Sequence, residues 1–337
     1  MNRARTLWFI VPEGIDDPDR VSGGNLYDRQ LRQGLAARGW TLRVVSVADS
    51  VAATEAIAAV SADGIALVDA LVAGWAPGAI EAAAVRVPVV VIAHMISAAF
   101  PEALAGLVTS ESRALRAAST VIATSEWTAD ELVRRGMTGR DRVAVAVPGT
   151  RVATLVRGAD HRALLCVGAL AAHKGQDVLL AALALLPDRD WHCKFVGSHA
   201  VDPEYAAGIR AAAGQFDGRV RMPGVLHGAA LDLAYRRAGL LVAPSRTESF
   251  GMAVGEARSL GVPILASAVG GIPEASSGGG AILVPADDPR ALADALGAWL
   301  AEPALRARLR RQAIRGSSSV PRWADTVDRV DRILVAA

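Results

Sequence analysis

Apolar positions along this chain fall into twelve short runs, separated by longer stretches of helical periodicity. The first six runs cover 6–12, 42–47, 64–70, 88–94, 120–125 and 142–148. The second six cover 163–169, 192–197, 219–224, 239–244, 262–267 and 280–285. Several, such as "PVVVIAH" and "GLLVAP", are near-continuous rather than alternating, as strands covered on both faces should be. Between them, "NLYDRQLRQGLAARG" sets Leu26, Leu31 and Leu35 at helical spacing and stops at Gly39. "TADEL" offers Thr128 and Glu131 as a capping box. "PRWADTVDRVDRILVAA" reads as a last amphipathic helix begun by Pro321.

Strands alternating with helices imply an α/β fold with parallel sheets and right-handed crossovers. Two series of similar length imply two doubly wound, Rossmann-like domains, and 337 residues exceed what one core usually serves. The break falls in "PGTRVATLVRGADHRA", where periodicity weakens. The expected division is 1–155, 156–320 and a closing helix at 321–337.

Composition narrows the function. The 36 basic and 34 acidic residues leave a net charge of +2 with neither sign in blocks, so no nucleic-acid stripe or polybasic membrane patch is indicated. No run of about 18 apolar residues suggests a membrane span. The start "MNRARTLWFIVPEGIDDPDR" suits a first strand better than a signal peptide, which makes a cytoplasmic protein the expectation. Cys166 and Cys193 lie inside strand-like runs and read as packed small hydrophobes. The histidines and cysteines show no metal-ligand spacing, so no metal site is expected.

In open parallel sheets, ligands sit beyond the carboxyl ends of the strands. That rule selects Gly23-Gly24, His94, Ser125, Gly168 through Lys174, Gly197, Gly224 and Ser245 through Gly251. If the domains face each other, these line one central cleft. In "VGALAAHKGQD" a strand ends at Gly168, and Lys174-Gly175 open a helix; a helix amino end with a lysine suits an anion. "VSGGNLYDRQL" leads a glycine pair into a helix, where backbone amides approach a phosphate closely, but it is not the GxGxxG fingerprint. "PSRTESFGMAVGEARSLG" places Glu248 in a loop and Glu256 in the second turn of a helix from about Phe250 to Leu260. The free N–H groups near Phe250-Gly251 suit a phosphate. Ionised carboxylates only accept hydrogen bonds, and sugar hydroxyls donate them. The pattern therefore describes a sugar–phosphate–nucleoside ligand. On composition alone, the plainer reading of Glu248 as a surface loop residue and Glu256 as a solvated helix residue would win.

The stretch 244–274, "PSRTESFGMAVGEARSLGVPILASAVGGIPE", resembles the family 4 retaining glycosyltransferases, which have the GT-B fold. The likeness rests on the E-x7-E spacing of Glu248 and Glu256. It extends to "VGALAAHKG", "SGGN", "VIATSEWTADEL" and the strand-end His94. It implies that Glu248 contacts the donor sugar and Glu256 the ribose. Lys174 and the backbone at Phe250-Gly251 hold the diphosphate, with Gly168 in the phosphate loop. Gly23 or Gly24 lets the first-domain loop close, and His94 lies near the reacting sugar or acceptor. The closing helix, around Trp323, packs back on the first domain. Two departures stand out: Ala169 replaces an arginine of the phosphate loop, with Arg246 a possible substitute, and "VPGTRVA" lacks the family's usual turn.

The implied activity is transfer of a hexose-type sugar from a UDP- or GDP-sugar to a sugar, lipid or natural-product acceptor. It proceeds with retention, front-face and without a metal; the nucleotide sugar is a co-substrate and no cofactor is expected. Catalysis would fall to Glu248, His94 and Lys174. The D-x-D spacings in "DDPD" (16–19) and "DRD" (188–190) read as solvated turns. Alternatives are a GT-B-like sugar-nucleotide epimerase or phosphorylase, and a nucleotide-sugar-binding protein without turnover.

Overall fold

A computed structural model describes residues 5–18, 21–100, 103–151, 154–156, 158–187 and 190–337. The chain divides into two compact units: residues 1–149 with 321–337, and residues 150–320.

The first unit is a six-stranded sheet. Its strands are β1 (Thr6–Pro12), β2 (Thr41–Val47), β3 (Ile65–Asp69), β4 (Val89–Ala93), β5 (Thr120–Ala123) and β6 (Val143–Val145). They lie in the order β2-β1-β3-β4-β5-β6, all parallel. β3 and β4 are buried at every residue, as two covered faces require. On one face Ile10, Val68, Val91 and Val121 pack under Ile57, Ile80, Leu115 and Leu132 of the crossover helices. Full burial of each such side chain is worth about 1.5–3 kcal/mol. These residues, and not the polar contacts at the rim, fix the sheet.

Helix boundaries follow caps that differ from the sequence expectation at three places. The first helix, Gly23–Ala37, begins two residues early because the Ser22 hydroxyl accepts from the Asn25 N–H at 3.0 Å. Its buried face is Tyr27, Asp28, Leu31 and Leu35, so Leu26 is displaced from the core by its neighbour. The helix Glu126–Arg134 is capped by Ser125, whose hydroxyl accepts from the Thr128 N–H at 2.9 Å. Thr128 is therefore inside the helix, and Glu131 pairs with Arg134 and Arg135 instead of capping. The last helix is Trp323–Ala336, begun by Arg322 and Asp325 rather than by Pro321. It buries Trp323, Thr326, Val327, Val330 and Leu334 and lies against the first helix. Trp40 donates to Asp331 at 2.7 Å and Thr326 to the Val147 carbonyl at 2.8 Å.

The second unit contains β7 (Asp160–Val167), β8 (His192–Val196), β9 (Val220–Gly224), β10 (Ala238–Ala243), β11 (Ile264–Ser267) and β12 (Ala281–Val284). The order is β12-β11-β10-β7-β8-β9, again parallel. Leu179, Leu183, Phe195, Leu240, Leu296 and Trp299 centre its core, with Cys166 and Cys193 as free, buried thiols. Succession runs outward from β7 in one direction and from β10 in the other. The switch point therefore lies between these two strands, where an open parallel sheet takes its ligand. In the first unit the same reversal lies between β1 and β3. No helix among the described residues is long and apolar enough to cross a membrane.

One close approach makes the helix pairing of the first unit testable. A Cβ on Gly34 would lie 2.5 and 2.7 Å from the methyls of Val327. Gly34→Ala gains up to about 1 kcal/mol of helix propensity but meets an overpacking cost of roughly 1–3 kcal/mol. Net destabilisation is expected in urea unfolding, relieved when Val327→Ala is added.

Candidate functional site

At the switch point of the second unit, the loops after β7 and β10 are held to each other by backbone. After Gly168 the chain makes a 3-10 turn, Ala172–Lys174, and then Gly175 at φ +68° leads into the helix Gln176–Leu185. A Cβ on Gly175 would lie 2.1 Å from the Pro244 carbonyl oxygen, so only glycine fits against the β10 loop. The His173 carbonyl accepts from the N–H groups of Arg246 at 2.8 Å and Thr247 at 3.3 Å. Lys174 therefore ends a 3-10 turn and does not open the α-helix. Its ammonium points across to Glu248, donating to Oε2 at 2.6 Å. The two side chains are 23% and 18% exposed, open enough for a ligand to reach both.

Glu248 is fixed from the opposite side by the glycine pair after β11. Gly270 has φ +54°, and a Cβ there would fall 1.6 Å from the Glu248 carbonyl oxygen. The Gly271 N–H donates to that same oxygen at 3.1 Å. Three strand-end loops thus converge on Glu248. Just beyond it, the helix Met252–Ser259 starts from Gly251 at φ +94°, with Phe250 buried and no side chain capping its amino end. Uncapped N–H groups and the helix dipole make that end attractive to an anion. Glu256, in the second turn, accepts from the Tyr235 hydroxyl at 2.7 Å. Burial raises the pKa of this carboxyl, and the Tyr235 hydrogen bond opposes the rise.

Arg246, the proposed substitute for the missing arginine, is committed elsewhere. Its guanidinium takes Asp177 bidentately at 2.8 and 2.7 Å, Asp287 at 2.8 Å and the Ala172 carbonyl at 2.8 Å. In this structure both arms of that fork face carboxylates. The arginine therefore braces the loop that carries Lys174. Gly168 lies against the Lys174 stem, where a Cβ would be 3.5 Å from it.

In the first unit His94 immediately follows β4. Its Nε2 lies 2.8 Å from Asp28 Oδ1 and 3.4 Å from Asp69 Oδ2, both on buried carboxylates. The Tyr27 ring meets the imidazole edge-on at 5.1 Å between centroids. Gly24 closes over the ring: a Cβ there would be 3.2 Å from it. Gly23 is the first residue of the same helix. Burial disfavours the charged ring, but the Asp28 carboxylate in contact, and then Asp69, outweigh it and lift the imidazole to about 9. Asp69 is itself pushed up to about 6, chiefly by burial.

Ligand-type atoms of Asp28, Asp69 and His94 lie within 4.8 Å of one another. In this structure Nε2 faces both carboxylates, and their charge favours the protonated ring. The cluster is a hydrogen-bonded ion group. Of the D-x-D segments, Asp16 pairs with Arg32 at 2.7 Å and Asp190 with Arg162 at 3.1 Å; Asp19, Asp188 and Arg189 lie outside the described residues. Ser125 serves as a helix cap and offers nothing to a ligand.

The sequence reading missed Asp28, Asp69, Tyr235 and Gly270. Asp69 had a signal: it closes the apolar run "IALVD" at a strand end near the switch point. Gly270-Gly271 had one too, as a glycine pair after a strand.

With this geometry in hand, comparison with known proteins is informative. Residues 161–302 match the family model of glycosyl transferases group 1. Over that stretch the chain is similar to the group 1 glycosyl transferases. The group 1 segment spans β7 through the helix Pro289–Ala301, and so contains Lys174, Tyr235, Glu248 and Glu256. A D-inositol 3-phosphate glycosyltransferase of Streptomyces avermitilis is 35% identical over 236 residues, covering 63% of this chain and 50% of that protein. One from Corynebacterium efficiens is 29% identical over 280 residues, covering 74% and 65%. The chain thus spans about half to two thirds of the length of these relatives. Among solved structures, sucrose-phosphate synthase of Thermosynechococcus elongatus superposes with a TM-score of 0.81 at 22% identity, covering 98% of this chain and 99% of that one. Anabaena HepE, solved with UDP and glucose, gives 0.78 at 17%, covering 99% and 100%. The two parallel six-stranded sheets are those of the GT-B fold.

The ion group around His94 sets a measurable value. In an NMR titration the His94 imidazole should titrate near pH 9 instead of the ordinary 6.5. Asp28→Asn, which removes the nearer carboxylate, should move the midpoint down. A wild-type midpoint near 6.5 would refute the assigned contacts.

Proposed function

We propose that the protein is a retaining glycosyltransferase that moves a hexose-type sugar from a UDP- or GDP-sugar to an acceptor hydroxyl, front-face and without a metal. The observation that carries this reading is the meeting of Lys174 and Glu248 at 2.6 Å beside the uncapped amino end of Met252–Ser259. That arrangement offers positive charge to a diphosphate and an acceptor oxygen to a sugar hydroxyl within a few ångströms of each other. The names of the similar proteins agree with it: glycosyltransferases acting on D-inositol 3-phosphate, and HepE solved with UDP-glucose.

In this reading the bond from the anomeric carbon to the leaving phosphate oxygen breaks, and a bond to the acceptor oxygen forms on the same face. The acceptor proton passes to the departing phosphate. Negative charge grows on that phosphate in the transition state, and Lys174 with the backbone N–H groups near Phe250-Gly251 stabilises it. Glu248 accepts from hydroxyls of the donor sugar and Glu256 from the ribose. Gly168 and Gly24 let backbone approach closely, and Gly23 begins the glycine helix end of the first unit. His94 serves the reacting sugar or the acceptor as a fixed hydrogen-bond donor. The nucleotide sugar is a co-substrate, and no cofactor takes part.

A second reading, nucleotide-sugar binding without turnover, is favoured by one observation. Ala169 stands where an arginine would reach the phosphates, and Arg246 is tied to Asp177. A panel of UDP- and GDP-sugars, read by thermal shift and product analysis, separates the two: a new linkage supports transfer, and a shift without product supports binding alone.

Glu248→Ala is expected to keep the fold and lower transfer by roughly 100-fold or more, as loss of a transition-state contact does. Turnover near wild type would sink the assignment. Lys174→Ala should weaken nucleotide binding by about tenfold, or ~1.4 kcal/mol, in calorimetry.

A further inference from the structure

We propose that Tyr235 is a positioning residue for the nucleoside end of the donor, acting through Glu256. The inference rests on the reading above, in which Glu256 accepts from a ribose hydroxyl. Tyr235 belongs to the helix Gly228–Arg237, and its ring is buried, 2% exposed. Its hydroxyl has one proton and two acceptors in range: Glu256 Oε2 at 2.7 Å and the Ala253 carbonyl at 3.4 Å. The nearer, charged oxygen takes it, since hydrogen bonds to ionised acceptors are roughly twice as strong as neutral ones.

Two consequences follow for Glu256. The bond consumes Oε2 and fixes the plane of the carboxylate, which directs Oε1 to a ligand. A side-chain amide or carboxyl torsion is otherwise broad. The same bond favours the ionised form against burial, and only that form accepts on both oxygens. The other groups acting on Glu256 are few. Arg151 favours its charge and Asp232, three residues before Tyr235, opposes it; these two pair with each other at 3.3 Å. Their opposed effects leave Tyr235 as the decisive partner. A buried tyrosine whose hydroxyl donates to a carboxylate fits positioning better than packing, for which phenylalanine suffices.

The test is a double-mutant cycle on nucleotide affinity with Tyr235→Phe, Glu256→Gln and the pair, using UDP, GDP and the 2′,3′-dideoxy form of whichever binds. Tyr235→Phe should weaken binding of the ribonucleotide about tenfold, the usual loss for a hydrogen bond to a charged group. It should change the dideoxy form less than twofold. It should raise the pH at which binding fails on acidification. In the Glu256→Gln background, where the tyrosine bonds only a neutral amide oxygen, its effect should shrink. Donor KM should rise while kcat at saturating donor stays within about twofold. Equal loss for both nucleotides, or full additivity with Glu256→Gln, would mean that Tyr235 acts only through packing and overturns the proposal. Unchanged affinity overturns it as well. If the wild type binds neither UDP nor GDP, or Glu256→Gln binds the ribonucleotide as well as wild type, the parent assignment of Glu256 falls and this inference with it. Should Tyr235→Phe lower Tm sharply, Tyr235→Phe with Asp232→Asn removes the opposing charge on Glu256, and partial recovery of ribonucleotide affinity is then required.

Discussion

The constraint on which the second unit's site depends is the adjacency of β7 and β10. It brings two loops that are about 75 residues apart in sequence into backbone contact and sets Lys174 against Glu248. In this structure these two satisfy each other. The strength of that pair decides what it does. A tight, dry ion pair would cost several kcal/mol to open, and would hold the site shut. This pair, about a fifth exposed on each side, lies between that limit and a solvated surface pair, which is worth about 1 kcal/mol at most. The pair holds the two side chains in place against each other.

Electrostatics in the first unit run the other way. Asp28 and Asp69 are buried beside a single imidazole, and the histidine gives the cluster its one cation. The desolvation of two carboxylates is large, and the proton on His94 offsets part of it. That proton is therefore structural. A histidine in this setting is poorly suited to act as a base near neutral pH, because its carboxylate partners hold the ring charged to about 9. It can still orient and donate. Gly24, pressed on the ring, leaves no side chain to shield it.

Much of the architecture was legible because burial on both faces writes itself as continuous apolar runs. All twelve runs became strands, and the order of motifs followed. Caps were less legible. Thr128 and Glu131 had the right spacing, but Ser125 reached the free N–H first and moved the boundary. For the candidate site, contiguous motifs in the sequence pointed to Glu248, Glu256 and Lys174. Residues defined by partnership could not be read this way. Tyr235 is 21 positions from Glu256, and Asp28 is 66 from His94. Neither distance leaves a local pattern. Arg246 was misjudged for the same reason, since Asp177 and Asp287 become its neighbours only through the sheet.

The glycines show how the remaining precision is obtained. Gly175 accepts the Pro244 carbonyl at a distance no side chain allows, and Gly270 does the same for the carbonyl of Glu248. Each removes a side chain so that one loop can lie directly on another. Loops are ordinarily the mobile part of such a fold. Here three of them are stacked backbone to backbone, and Arg246 braces the stack through Asp177 and Asp287. Rigid placement of Lys174 and Glu248 follows from this stacking more than from their own ion pair. A loop substitution far from either charge, at a position where backbone meets backbone, should therefore disturb the site as much as changing a charged residue does.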